Sequence, residues 1–375
     1  AFLSGGGADD PALLRSVRLS VDRALAFGQK MDLLVFELQQ VEQRFTGVID
    51  ASTVQGRFEV PLGISAQDPL KIDLDFLDIQ KLDQDSGQTF KPSSLPAVRL
   101  TSKAVRYADM LSSDLLFEAS PAGEILEVTG FSLRHDALQL KGNGQWQYDP
   151  LTHRHLSSAK VNLKGSQLGE SMAKLGFGNS MSGGKMEFNG DFSWPAPFFD
   201  FNLDTLAGEA RMKITDGVMN NVEPGSGRFV GLLSLTALPR RLGLDFSDVL
   251  IGGMAFDEIT GSYRIGAGIL YTKDTRVDGP AARIKISGKT GIITRDYDQV
   301  IRIVPKIRQT LPLIGAVAAS TTVGWGLLLL QNLFKTAIDD AVEVEYHVTG
   351  SWDDPQIELI KAVDEKQRTL PKIDK

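Results

Sequence analysis

The stretch LQLKGNGQWQY, residues 138–148, alternates apolar or glycine residues with polar residues at every position. Leu138, Leu140 and Trp146 therefore share one side of the chain, while Gln139 and Lys141 share the other. Successive side chains of a β-strand point to opposite faces of its sheet, so this period of two predicts a strand with one apolar face.

The same alternation recurs along most of the chain, which has 375 residues. Roughly eighteen strand candidates follow one another, separated by turns rich in Gly, Pro, Asp or Asn. Strands that succeed each other without long helices between them favour antiparallel pairing. One-sided alternation leaves two architectures open, either two sheets packed face to face or one curved sheet with an apolar concave face.

Two short segments predict amphipathic helices in place of strands. Residues 167–177 carry Leu168, Met172 and Leu175 on one helical side. The second segment comprises residues 227–241, and its apolar positions are Phe229, Leu232 and Leu235. Apolar helices beside a sheet either complete its core or close one of its ends.

The third unusual segment, residues 309–334, contains no charged residue. It is long enough to cross a bilayer, because about 20 helical residues span the hydrocarbon core. Pro312 and the pair Gly324 and Gly326 interrupt such a helix, so we expect a broken helical hairpin or a pair of short helices at about residues 311–337. It would close one end of the sheet or contact a membrane through its apolar residues Trp325, Leu327, Leu328, Leu329 and Leu330.

The composition is ordinary for a soluble protein and carries few chemical signals. The net charge of −7 argues against nucleic acid as a partner, because a basic surface is the usual footprint of such binding. Neither a G-x-S-x-G nor an H-E-x-x-H motif is present. His153 and His155 lie close together, but an exposed turn explains them better than a metal site. We therefore predict no catalytic residue, no cofactor and no bound metal.

The second half of the chain carries a long series of characteristic segments. They are FSWPAP (192–197), LAGEARMKITDGVM (206–219), VEPGSGRFVGLLSLTALPRRLGLDFSDV (222–249), FDEITGSYRI (256–265), VDGPAARIKISGKT (277–290), YDQVIRIVP (297–305), LPLIGAVA (311–318) and VTGSWDDPQIE (348–358). In order and wording these segments closely resemble the C-terminal region of the YhdP branch of the AsmA-like family. Residues 15–165 resemble the strand repeats of that family only loosely.

The resemblance implies a mainly β fold, a long curved antiparallel sheet that forms an apolar groove, with a few short helices near its C-terminal end. On this basis we expect a flexible lead-in at 1–14, groove repeats at 15–165, a family-specific groove region at 166–360 and a disordered charged tail at 361–375. The residues expected to line the groove are Leu138, Leu140, Trp146, Met186, Phe188, Ile284 and Ile286.

The resemblance also implies a function. Proteins of this family are expected to bridge the periplasm and move lipid, most simply phospholipid, between the inner and outer membranes, which supports outer-membrane lipid homeostasis and the permeability barrier. An inner-membrane anchor would precede this region and is missing from the sequence, and the C-terminal end would meet the outer membrane or a partner there. The alternative is a structural or interaction protein of the periplasm whose apolar strand faces are closed cores.

Overall fold

The computed structural model describes residues 16–26, 29–79, 91–107, 110–177, 179, 181–220, 254–280, 282–306, 341–352 and 354–364. Eighteen β-strands make up most of this described part of the chain. The strands are β1 (Ser16–Ala26), β2 (Gln29–Val41), β3 (Arg44–Asp50), β4 (Val54–Pro61), β5 (Leu70–Ile79), β6 (Val98–Tyr107), β7 (Met110–Ala122), β8 (Ile125–His135), β9 (Leu138–Asp149), β10 (Arg154–Gly165), β11 (Met181–Trp194), β12 (Ala207–Met219), β13 (Met254–Gly266), β14 (Ile269–Asp278), β15 (Ala282–Gly291), β16 (Asp296–Pro305), β17 (Ala341–Ser351) and β18 (Pro355–Asp364). The predicted mainly β fold class is confirmed.

Helical structure is scarce in the described residues. Helix α1 spans Leu168–Met172, and a π-helical turn continues it over Ala173–Phe177, where the amphipathic pattern predicts a helix. A 3₁₀ turn occupies Pro92–Ser94. The helices predicted at residues 227–241 and 311–337 lie outside the described residues.

The chain divides into two compact units. The first comprises Ala1–Arg134 and Gln145–His153, and the second comprises His135–Gly144 and Arg154–Lys375. The boundary expected from the sequence, at residue 165, therefore falls inside the second unit, at the end of β10.

Strands β1 to β8 of the first unit pair in chain order, each with the next. All of these pairs are antiparallel except β5 with β6, which are parallel. Two parallel strands start at the same end of the sheet, so the chain between them must run back along the full length of a strand. The segment between the two strands, residues 80–97, is long enough for this return. The alternation of side chains within β5 and β6 does not reveal that the two strands are parallel.

In the second unit, β10 to β18 also pair in chain order, and all these pairs are antiparallel. Tight turns make this possible. Between β13 and β14, Ala267 and Gly268 have φ angles of 50° and 69°. Two successive positive φ angles are typical of the type I′ turn, whose twist matches that of the flanking strands.

The ends of the chain differ in part from expectation. The predicted lead-in, residues 1–14, lies outside the described residues. The predicted disordered tail is wrong for residues 361–364, because β18 continues to Asp364. Strand β17 holds them by ladder pairing, with Lys361 opposite Glu345 and Asp364 opposite Ala341. The edge of the neighbouring strand thus supplies hydrogen bonds that the local charge pattern does not predict.

Candidate functional site: two apolar sheet faces

An unbroken apolar row runs across one face of the sheet in the first unit. The strand registers place its members directly opposite one another, from β1 to β8, in the order Val17, Leu38, Gly47, Phe58, Ile72, Leu100, Phe117 and Phe131. All eight are partly exposed. Seven strand spacings of ~4.8 Å give the row a length of about 34 Å. This face is therefore a partly open apolar strip, not a sealed core.

Gly47 keeps this row continuous although it has no side chain. A Cβ atom on Gly47 would overlap the ring of Phe58, which lies directly opposite on β4. The Phe58 ring also stacks on Phe36, with 5.1 Å between the ring centroids. Glycine at position 47 thus lets an aromatic ring lie flat on the sheet, and the apolar surface continues across it.

The opposite face of the first unit is charged. Arg99 Nη1 lies 2.7 Å from Glu118 Oε1, and Lys103 Nζ lies 2.6 Å from Asp75 Oδ1. The hydrogen bond from Lys103 holds the pKa of the Asp75 carboxyl below its usual range. Exposed ion pairs add little stability, so their main consequence is that this face stays in water.

A cavity of about 780 Å³ also lies in the first unit, and both apolar and charged side chains line it. Ile49 and Leu74 contribute apolar surface, while Arg57, Asp73 and Lys103 contribute charge. Its size suits a small molecule. Arg57 and Asp73 approach each other to 3.9 Å, so these two charges partly satisfy one another.

The second unit carries a comparable apolar row that is buried. Its directly opposed members from β11 to β17 are Met186, Ile214, Ile259, Val277, Ile284, Ile303 and Val344. Ile259 is 0% exposed and Val277 is 1% exposed, whereas Met186 at the β11 end is partly exposed. Six strand spacings give this row a length of about 29 Å. Each unit thus has an apolar row of directly opposed residues, which is partly exposed in the first unit and buried in the second.

Six of the seven groove-lining residues expected from the sequence fall in the second unit, and Trp146 falls in the first. Met186 and Ile284 belong to the buried row, and Phe188 and Ile286 face the same way one ladder step along their strands. Leu138 belongs with them, because a Cβ atom built on Gly165, opposite Met186, would touch its Cδ2 atom at 2.7 Å. Leu140 and Trp146 share the parity of Leu138 on β9. The buried members of the set are Leu138, Trp146, Ile284 and Ile286, and the partly exposed ones are Leu140, Met186 and Phe188.

Several members of the buried row were not selected from the sequence. Ile214 and Ile259 are more deeply buried than Ile284, and Ile303 is also buried. The stretch VIRIV at residues 300–304 carries the relevant signal, because two isoleucines flank the exposed Arg302. Strand pairing, which alternation does not specify, brings these residues into one row.

Helix α1 packs against the buried cluster of the second unit. Leu168 is 4% exposed, and Met172 and Leu175 pack beside it. Lys174 in the π-helical turn also holds Asp136, which precedes β9, through a 2.8 Å ion pair. The other helix residues proposed for the groove end or a membrane contact lie outside the described residues: Phe229, Leu232, Leu235, Trp325, Leu327, Leu328, Leu329 and Leu330.

The outer face of the second unit is charged, like that of the first. Arg302 Nη2 lies 2.7 Å from Glu345 Oε2, and Lys289 Nζ lies 3.1 Å from Asp298 Oδ2. The His347 ring hydrogen-bonds Asp298 at 2.8 Å and, together with Lys289, lowers the pKa of that carboxyl. These groups face away from the apolar row, because their strand positions alternate with it.

Other kinds of site find no support in the described residues. They contain no group of three or more His, Cys, Asp or Glu side chains that could hold a metal ion. No helix within the same ranges has both the length and the hydropathy that crossing a membrane requires. His153, one of the two neighbouring histidines, lies 2.9 Å from the Tyr148 hydroxyl through its Nδ1 atom. What the site offers is therefore apolar surface with a charged reverse side.

Comparison with known proteins agrees with this architecture. The chain is 26% identical over 248 residues to the intermembrane phospholipid transporter YhdP of Escherichia coli (strain K12). That alignment covers 66% of this chain and 19% of the relative, so the chain spans about a fifth of the relative's length. No solved structure matches significantly. The family model for the YhdP protein matches residues 4–357. The chain belongs to the YhdP protein family.

Proposed function

We propose that this chain is part of a lipid bridge, which carries phospholipid between the inner and outer membranes of a Gram-negative envelope. The observation that carries the proposal is the partly open apolar row of the first unit, continuous over eight strands with an ion-paired reverse face. The E. coli relative is named as an intermembrane phospholipid transporter, which supports lipid as the cargo.

The physical need for such a surface is large. Exposing one methylene group to water costs ~0.8 kcal/mol, so a 16-carbon chain in bare periplasm faces a barrier on the order of 10 kcal/mol. A continuous apolar strip removes most of this barrier. It does so without making or breaking a bond, so the function requires no catalytic residue.

The proposed setting follows from the cargo. The chain would lie in the periplasm, as part of an inner-membrane-anchored protein. Its C-terminal end would meet the outer membrane or a partner there. Strand spacing fixes how far such a surface reaches, because each added strand extends it by ~4.8 Å.

The closed-core alternative has its own observation. Ile259, Ile301 and Tyr346 in the second unit are at most 1% exposed, as in a packed interior. If the apolar face of the second unit never opens, it stabilises the fold and carries nothing. The first unit is therefore the better place to test transport.

Photocrosslinking separates the two functions. Phe131 and Ser132 are neighbours on β8, both partly exposed, but Phe131 continues the apolar row and Ser132 lies on the opposite face. A photoreactive amino acid at position 131 should label phospholipid from vesicles much more strongly than one at position 132. Equal labelling at both positions, or none at either in the folded protein, would contradict lipid carriage.

A further inference from the structure

An aromatic loop connects β11 with β12 in the second unit. It comprises residues 195–206 and carries three phenylalanines, Phe198, Phe199 and Phe201. Phe199 is 48% exposed and Phe201 is 53% exposed. Single exposed apolar side chains are common on protein surfaces, but two exposed aromatic rings on one loop form a patch, and exposed apolar patches mark contact surfaces.

Hydrogen bonds and ring contacts fix the course of the aromatic loop. The hydroxyl of Ser157, a residue that is 0% exposed, donates to the carbonyl oxygen of Ala196 at 2.7 Å. The indole N–H group of Trp194 donates to a second carbonyl oxygen of the loop at 3.1 Å. The rings of Phe198 and Phe201 lie against Trp194, with centroid distances of 5.5 Å and 5.6 Å. The loop is therefore anchored to β10 and β11, and this anchoring holds its exposed rings in place.

A ladder of aromatic rings leads from the loop onto the inner face of β11. The aromatic ladder consists of Trp194, Phe192 and Phe188, which share the strand parity of Met186 in the apolar row. Phe188 and Phe192 are stacked, with 6.2 Å between their ring centroids. Gly190 lies between them, and a Cβ atom there would overlap the Phe192 ring. Glycine at this position thus lets the rings cover the gap in the ladder.

The inner face around the aromatic ladder is more open than the rest of the second unit. Phe188 and Phe192 are partly exposed, as are Val161 and Leu163 on β10 and Met212 on β12. The strand registers place Leu163 and Met212 directly opposite Phe188. The members of the apolar row on β13 and β14, in contrast, are at most 1% exposed. A partly exposed apolar surface therefore continues from the inner face of β10 to β12 onto the aromatic loop.

This continuity favours a lipid bilayer as the partner of the loop. An acyl chain that leaves a bilayer at the exposed rings could pass along the ladder to the inner face without crossing water. A protein that docks on the loop would account for the exposed rings but not for the open surface behind them. The exposed charges of the loop, Asp200 and Asp204, are acidic. Attraction to anionic lipids requires basic residues, so the contact would depend on apolar insertion.

We propose that the aromatic loop inserts Phe199 and Phe201 into the surface of a lipid bilayer, and that acyl chains pass between the bilayer and the inner face along the aromatic ladder. The rings would lie at the boundary between headgroups and acyl chains, where amphipathic elements bury their apolar side chains. This inference rests on the proposed function and names the place where lipid enters or leaves this part of the protein.

A fluorophore that responds to its surroundings tests the insertion directly, because the chain contains no cysteine. Phe199→Cys places a nitrobenzoxadiazole label on the loop. Asp191→Cys is the matched control, because the Asp191 side chain is 72% exposed and lies on the outer face of β11. When phosphatidylcholine vesicles are added to the 375-residue protein, the label at position 199 should brighten and shift to shorter wavelengths. The label at position 191 should change little.

Vesicle binding of unlabelled variants gives a second measurement. Phe199→Ser should weaken binding to the same vesicles about tenfold or more, because the exposed half of the ring offers roughly 100 Å² of apolar surface for insertion. Asp200→Asn, on the neighbouring residue, should leave binding unchanged. Added salt should also have little effect, because screening acts on charges and not on apolar contacts.

Three results would overturn the loop proposal. They are a label at position 199 that stays in water, equal shifts at positions 199 and 191, and unchanged vesicle binding by Phe199→Ser that circular dichroism shows to be folded. Photocrosslinking at position 131 reports separately on lipid carriage. If position 131 labels phospholipid while position 199 stays in water, the loop proposal fails and the proposed function stands. If neither position meets lipid, both fail.

Discussion

Replacing Phe117 with aspartate would put a carboxylate into the apolar row of the first unit. Phe117 lies between Leu100 on β6 and Phe131 on β8. Its neighbour Leu116 is also partly exposed but lies opposite Thr101, on the charged face. Leu116→Asp is therefore a matched control, with the same new charge on the same strand and the other face.

The expected magnitude follows from the strand spacing. A carboxylate at position 117 keeps its water, so a lipid chain lying across β6 to β8 loses apolar contact over two spacings, ~10 Å. About eight methylene groups span this length, and an open strip covers roughly half of the surface of each, so the lost contact costs about 3 kcal/mol. Lipid affinity should fall on the order of 100-fold. Phe117 is only partly buried, so the free energy of unfolding should fall by just ~1–2 kcal/mol.

Titration with a fluorescent phospholipid measures the affinity, and thermal denaturation followed by circular dichroism measures the stability. Phe117→Asp should weaken binding strongly while the protein stays folded, and Leu116→Asp should change binding little. If both variants lose affinity equally, a general charge effect explains the result. If folded Phe117→Asp binds lipid as the unaltered protein does, the apolar row is not the lipid surface.

Three further predictions concern the second unit. Ile284→Asp buries an unpaired charge at a site 5% exposed and should lower the free energy of unfolding by about 4 kcal/mol in a chemical denaturation, whereas Lys285→Asp on the exposed face should change it little. Gly217→Ala would push a Cβ atom into the aromatic ring of Phe256 opposite and should cost about 1–3 kcal/mol in the same assay. Burial raises the pKa of Tyr346 from 10.0 to about 12, so its neutral form contributes stability that is complete below pH 10 and is lost as the pH rises towards 12. The loss should reach about 3 kcal/mol and be absent in Tyr346→Phe, as alkaline denaturation of both proteins would show.

Alternation within strands was predictable because it depends only on side-chain parity. Residues 138–148 alternate without a break, and these residues form β9. The face on which a side chain lies is difficult to predict where the backbone departs from a regular strand. Leu33 has a φ of 56° and is 73% exposed, so Met31 and Leu34, three residues apart, pack against the same cluster. The apolar run at residues 33–36 conceals this shift, because every position in it is compatible with either face.

The alternating pattern could not predict how exposed each apolar face is, or which strands run parallel, for a different reason. Ile72 in the first unit and Ile284 in the second have the same alternating surroundings, yet Ile72 is partly exposed and Ile284 is buried. What covers a face depends on residues distant in the chain, and alternation holds no information about them. Likewise, the parallel pairing of β5 with β6 depends on the path of the connection between them, not on either strand.

An apolar row that depends on strand register can be formed by many different residues. Two glycine–phenylalanine pairs illustrate this. Gly47 lies opposite Phe58, Gly217 opposite Phe256, and in each pair the ring covers the glycine. The pair needs one large and one small side chain for continuity, because together they fill the space of two medium ones. Leu38, Ile72 and their neighbours need only be apolar and of compatible size. Relatives can therefore exchange most row residues while the surface persists, provided that the register between strands is kept.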